Sequence, residues 1–140
     1  MFEVKRQSLT VDEYIEIYLS VGWKPWPKEQ ISVALANSTF TVCVKDRGKP
    51  IGMGRFNGDG MYCDIKDIAV SPSYQGKGVG KMIMDAIIEH IRESTPRGHN
   101  VCVQLISTEN KEGFYEKYGF GKKPGDGMGY GMMALVAGTK

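Results

Sequence analysis

The sequence predicts a single α/β domain with one strand–helix–strand crossover in its second half. Three observations predict it. Short alternating or β-branched stretches recur between Gly, Pro and Asn-Gly turn signals. A long apolar stripe, Val79, Met82, Ile83, Ala86, Ile87 and Ile91, keeps helical spacing. Between a strand and that helix lies a glycine-rich segment, Gln75-Gly-Lys-Gly-Val-Gly80. At 140 residues, with no repeat, linker or low-complexity tract, residues 1–140 read as one domain.

The elements follow in order. Phe2 to Arg6 alternates apolar and polar and reads as a strand. Thr10, with Glu13 three residues on, caps a helix carrying Tyr14, Ile15, Tyr18 and Leu19, and Gly22 ends it. Trp23-Lys24-Pro25-Trp26-Pro27 is a stiff aromatic loop, and Pro27 opens a second helix to about Ala36. Strands are expected over 39–45, from Ile51, and over 61–70, with Asn57-Gly58-Asp59-Gly60 turning the chain between the last two. Ser71-Pro72 stops the third. The crossover helix closes at Pro96 and Gly98, Val101 to Ile106 reads as a short buried strand, and a helix is expected around 110–118. Gly129 to Val136 is expected to supply a last strand.

Composition excludes several classes. Lys and Arg total 18 against 16 Asp and Glu, and the basic residues are scattered rather than gathered in a nucleic-acid-binding stripe. Cys43, Cys63 and Cys102 show no CxxC or Cys/His spacing, so neither a disulfide framework nor a metal site is expected. Each lies in an apolar stretch and reads as a small core residue. No segment approaches 18 apolar residues, and the first ten residues lack the apolar run of a signal peptide. The expectation is a cytoplasmic protein with no membrane partner.

The chemistry concentrates at the crossover. A parallel pair of strands, 61–70 and 101–106, would put the glycine segment and a helix N-terminus at the strands' carboxyl ends, where open α/β sheets commonly bind ligands. Free N–H groups and the helix dipole make an anion site there, and Lys77 and Lys81 add positive charge. The Walker loop fails, because Gln75 stands where its first glycine belongs and Met82 follows Lys81. The dinucleotide fingerprint fails too, with Lys81 in the third glycine position.

What does match is Gln-x-x-Gly-x-Gly, which resembles the pyrophosphate-binding motif of the GNAT superfamily of N-acetyltransferases. The later Phe114-Tyr-Glu-Lys-Tyr-Gly-Phe120 resembles the same superfamily's C-terminal motif. The resemblance covers residues 50–122 well. DIKDIAVSPSYQGKGVGK is also similar to glucosamine-phosphate N-acetyltransferases, a hint about chemistry rather than substrate. The resemblance implies a mixed, largely antiparallel central sheet with helices on both faces, whose β-α-β crossover forms the acetyl-CoA site. It implies acetyl-CoA as cosubstrate, with no metal. The implied coenzyme residues are Ile68, Ala69 and Val70 on the strand, then Gln75, Gly76, Lys77, Gly78, Val79, Gly80 and Lys81, with Asn110 and Phe114. Asn110 departs from the pattern, preceding Tyr115 by five residues where many members place an Asn seven before.

Tyr115 matches the superfamily's usual general acid; a phenol stays protonated at neutral pH and can protonate a departing thiolate. Asp64 and Asp67 are the candidate proton acceptors, and their odd separation sends them to opposite faces of a regular strand. In members of this superfamily the first two helices and their loop usually form the acceptor wall, which here offers Tyr14, Tyr18, Trp23 and Trp26, while Arg55 and Asp59 flank the hairpin expected to face the same cleft; the resemblance makes Trp23, Trp26 and Arg55 the substrate candidates. His90 and His99 lack an evident partner and read as packed or solvated.

The function expected is acetyl transfer to a primary amine of a small molecule by direct attack. Acetylation of a protein Lys or N-terminus is the enzymatic alternative, and a non-catalytic acyl-CoA-binding sensor is the alternative from another class. Members are often dimers, so a homodimer is expected by analogy.

Overall fold

A computed structural model of the chain describes every residue except Pro25, Pro124 and Asp126. The aromatic loop's Pro25 thus lies outside the described residues. The chain divides into two compact units, Met1–Ile106 and Ser107–Lys140.

The first unit runs β1 (Phe2–Arg6), α1 (Val11–Ser20), α2 (Lys28–Ala36), β2 (Phe40–Asp46), β3 (Lys49–Gly58), β4 (Tyr62–Val70), a 3-10 turn (Pro72–Tyr74), α3 (Val79–Ser94) and β5 (Cys102–Leu105). The strands form one sheet in chain order. The first three pairings are antiparallel and β4–β5 is parallel, as the crossover requires. Helices cover both faces. Met53 on β3 packs with Tyr14 and Ile17 of α1, whereas its neighbours Gly52 and Gly54 face α3. A Cβ on Gly54 would come within 2.7 Å of Ile83, so glycine here is what lets the helix approach the strand.

Local chemistry explains α1. Its capping box is complete: Glu13 N–H donates to Thr10 Oγ1 at 3.2 Å and Thr10 N–H to Glu13 Oε1 at 2.9 Å. At the other end Gly22 takes φ +80, with Gly22 N–H bonded to the Leu19 carbonyl and Trp23 N–H to that of Tyr18. That is a Schellman cap, and the Tyr18 and Trp23 rings make the apolar contact that accompanies it, 5.0 Å between centroids. The helix buries Tyr14 and Ile17, while Leu19, expected on the same stripe, is exposed.

Two features of β4 depart from a regular strand. Its pairing with β3 jumps from Met53↔Ala69 to Arg55↔Lys66, so Asp67 and Ile68 together oppose the single residue Gly54. Asp67 sits in the bulge at φ +58. On the other edge, pairing with β5 stops at Ile65↔Leu105, and among the described residues no strand pairs with Lys66–Val70 there. Strand β5 is not buried as expected. It is the edge strand, and Cys102 at its start is exposed while Cys43 and Cys63 are core.

The second unit holds α4 (Glu112–Glu116), shorter than the expected 110–118. Phe114, Tyr115, Tyr118 and Phe120 pack edge to face around it. Gly119 at φ +90 donates to the Glu116 carbonyl, and Phe120 N–H to that of Tyr115. The Tyr-x-x-x-Gly-Phe spacing is therefore a second Schellman cap, with Tyr115 against Phe120 as its apolar contact. The strand expected over 129–136 does not form; Tyr130, Met132, Met133, Leu135 and Val136 are exposed. A β pattern makes a strand only when another strand takes its N–H and C=O groups, and among the described residues of this unit there is none.

Candidate active site

A cleft of about 500 Å³ opens in the first unit between α1, α2 and strands β3 and β4. Tyr14, Trp26, Arg55, Asp64, Lys66 and Asp67 supply its polar and aromatic walls, and Ile31, Ala34 and Leu35 of α2 its apolar one.

The bulge decides the arrangement of the two acids. On a regular strand they would face opposite sides; the inserted residue resets the alternation, and both line the same cleft. The expectation of opposite faces is thus overturned.

Each acid has a cation. Asp67 Oδ2 accepts from Arg55 Nε at 2.8 Å and from the Tyr14 hydroxyl at 2.9 Å. Arg55 is further held by the Ser38 hydroxyl and by Asn57 Oδ1, each 3.2 Å from its terminal nitrogen. Asp64 pairs with Lys66 two residues along the same strand. The pairs differ in setting: the Arg55 and Asp67 side chains are 13% and 17% exposed, Lys66 and Asp64 38% and 44%. Burial, then the Asp67 charge and hydrogen bond, hold the Tyr14 phenol far above the ordinary tyrosine range, so it is a permanent donor.

Of the expected substrate residues, Trp26 and Arg55 line the cleft, whereas Trp23 stands against Tyr18 in the α1 cap. Tyr14, one of the aromatics expected on the acceptor wall, also lines the cleft, whereas Ser38, Asn57 and Lys66 carry no local signal in the sequence that marks them as site residues. Tyr14 sits on an apolar stripe where nothing local distinguishes it from a core residue.

The glycine segment sits at the end of β4. Gln75 turns its side chain back, donating from Nε2 to the Val70 carbonyl at 2.9 Å, and so ties the loop to the strand. Gly76 and Gly78 take φ +78 and +85, and no heavy atom lies within 4 Å of where their Cβ atoms would be. Gly78 caps α3 without a side chain, so the first-turn amides lack intrahelical acceptors and face no competing cap. Lys77 lies over the Tyr74 ring at 5.4 Å, and Lys81 pairs with Asp85 at 2.7 Å. Open space above left-handed glycines, exposed amides and the unpaired edge Lys66–Val70 fit a long phosphorylated cosubstrate with an amide-bearing arm.

In the second unit Asn110 takes φ +67 just ahead of α4, and Tyr115 and Phe114 belong to its ring cluster. Burial raises the Tyr115 phenol above its ordinary value and keeps it protonated. His90 stacks on Phe40, 4.3 Å between centroids. Among the described residues, no group of three or more His, Cys, Asp or Glu side chains gathers as metal ligands would, and no helix is long and apolar enough to cross a membrane.

Known proteins match this arrangement. The Acetyltransferase (GNAT) domain family matches residues 36–122. The uncharacterised N-acetyltransferase ycf52 of Pyropia yezoensis is 29% identical over 127 residues, spanning 87% of this chain and 70% of the relative. Serotonin N-acetyltransferase 2, chloroplastic, of Oryza sativa subsp. japonica is 30% identical over 132 residues, 88% of this chain and 63% of the relative. A solved structure from meticillin-resistant Staphylococcus aureus, described as a probable acetyltransferase of unknown function, superposes with a TM-score of 0.82 at 32% identity, covering 96% of this chain and 100% of that one. With the family matched over more than half its length, and with the sheet, crossover and glycine loop in place, the chain belongs to the GNAT acetyltransferases and is an N-acetyltransferase enzyme.

Proposed function

We propose that this enzyme transfers the acetyl group of acetyl-CoA to the primary amine of a small molecule by direct attack. The cleft carries the proposal. At about 500 Å³ it has the size of a small-molecule site, with one apolar wall and a few convergent polar groups. The rice relative named for serotonin is consistent with an acceptor of that size.

The amides of Gly76–Gly80 and the dipole of α3 would hold the diphosphate, with Lys77 and Lys81 beside them. The open edge of β4 at Ile68–Val70 offers backbone groups to the pantetheine arm, and a β4 N–H there would polarise the carbonyl. Acetyl-CoA supplies the thioester carbon that the amine attacks. A neutral nitrogen is needed, because an alkylammonium with a pKa near ~10 has no lone pair to give. One carboxylate of the cleft, Asp64 or Asp67, takes the proton directly or through water as the C–N bond forms. The C–S bond breaks, and Tyr115 gives its proton to the departing thiolate. The family match runs from 36 to 122, across both units, which supports assigning Tyr115 to the same reaction as the cleft.

The test is thiol release from acetyl-CoA across a panel of alkylamines, aryl-alkylamines, amino sugars and Lys-containing peptides. Acceptor-dependent release with a small amine is expected. Release with peptides alone would move the acceptor to a protein, and coenzyme binding without release for any acceptor would leave a sensor.

A further inference from the structure

We propose that Tyr14 and Arg55 are positioning residues that lock Asp67 through one carboxylate oxygen, so that the other oxygen receives the substrate's ammonium and selects cationic amines. The inference rests on the small-amine reading and names what the cleft recognises.

Three elements converge on one atom. Tyr14 from α1 and Arg55 from β3 both donate to Oδ2 of Asp67, at 2.9 and 2.8 Å, and Asp67 itself is carried on the β4 bulge. A left-handed backbone at a non-glycine residue costs on the order of 1 kcal/mol or more, and such strain persists where the surroundings over-determine it. Here the surroundings are visible: Ser38 and Asn57 hold the guanidinium that holds the carboxylate. Both bonds fall on Oδ2, which leaves Oδ1 as the oxygen that can take a further donor without breaking the clamp. Tyr14 remains a donor throughout the neutral range, because burial and the adjacent charge keep its proton in place.

The cleft's charge balance gives the specificity. Its charged groups are Arg55, Lys66, Asp64 and Asp67, paired two by two. Arg55 gives its Nε–H to Asp67 and one terminal nitrogen to Ser38 and Asn57. An ammonium can join Oδ1 without displacing any of these contacts. Aromatic Trp26 and the α2 wall then favour a flat apolar body behind the amine.

The test uses the full chain and the best alkylamine found in the panel, together with the alcohol of the same skeleton as a neutral competitive inhibitor. Tyr14→Phe and Arg55→Lys each remove a donor and keep most of the side-chain volume. Each is expected to raise KM for the amine roughly ten- to 150-fold, the worth of a hydrogen bond to a charged group. The alcohol's inhibition constant and KM for acetyl-CoA should stay within about twofold, a bound set well below the cost of one lost hydrogen bond. Asp67→Asn should abolish the preference for the ammonium over the alcohol. Where Tyr14→Phe, which alters a core residue, lowers the folded fraction, Arg55→Lys carries the comparison. Equal weakening of amine and alcohol, or no weakening of either, overturns the proposal while small-amine acetylation stands. A wild-type chain that acetylates no amine removes both.

Discussion

Gly52→Ala tests how tightly the glycine loop proposed to hold the coenzyme is coupled to the sheet. A Cβ on Gly52 would lie 2.7 Å from Val79 Cγ1 and 3.1 Å from Ile83 Cδ1. Ile83 presents the end of a flexible side chain and can turn away. Val79 cannot, because it is β-branched, 1% exposed and the first residue of α3. Ordinary contact begins near 3.4 Å, so the start of the helix must retreat by about 0.7 Å. Overpacking of this kind costs about 1–3 kcal/mol, or roughly 3–15 °C in Tm for a chain of this size. The retreat also moves the first-turn amides, so coenzyme A affinity, read by calorimetry, should fall about five-fold or more, the worth of one hydrogen bond. Gly60→Ala is the control. It strains a turn at φ +97 with open space around it, far in sequence from the loop, and should lower Tm while leaving coenzyme affinity alone. A Gly52→Ala protein with wild-type Tm would refute the steric argument. One with reduced Tm but unchanged coenzyme affinity would refute the coupling to the loop.

Other expectations follow from single observations. Thr10→Ala removes the capping box of α1 and should cost about 1 kcal/mol in urea denaturation with an unchanged m-value. Tyr115→Phe should lower kcat by roughly ten- to a thousand-fold with KM for acetyl-CoA little changed, as loss of a proton donor does; full activity would end the acid role. Burial, with a smaller push from Glu13, raises the Cys43 thiol from 9.0 to about 12. Because the folded value is the higher one, its contribution to stability is complete below pH 9 and is lost as pH climbs from there towards 12. Cys43→Ala should therefore lose less Tm than wild type across that interval, although its Tm at pH 7 is lower. At pH 8 a thiol reagent should label Cys102 in the native protein and reach Cys43 and Cys63 only on unfolding.

Much of the fold was legible because its signals are local. The capping box at Thr10, the glycine at 22 and the apolar stripe of α3 each depend on residues a few positions apart, and each forms, while the turn signal over 57–60 is realised at Asp59-Gly60, with Asn57 and Gly58 still paired in β3. The glycine segment was legible for the same reason, since a helix N-terminus preceded by left-handed glycines is a short-range construction. Misses occurred wherever a distant partner decides. The pattern over 129–136 reads as a strand, but among the described residues of its unit no strand forms. Val101 to Ile106 reads as buried, yet β5 lies at the sheet edge and exposes Cys102.

The amino-acid order by itself determined the elements of the first unit, the crossover and the glycine loop, because backbone propensities, caps and turns act over one helical turn or one hairpin. Only the tertiary structure decided the acceptor side. The bulge at Asp67 exists because β3 presents one residue where β4 presents two, a matter of register between strands. That single insertion brings Asp64 and Asp67 to one cleft and delivers Asp67 to Tyr14 and Arg55, 53 and 12 residues away. Period-2 alternation holds along a strand only while pairing stays regular, and pairing is settled by the neighbouring chain.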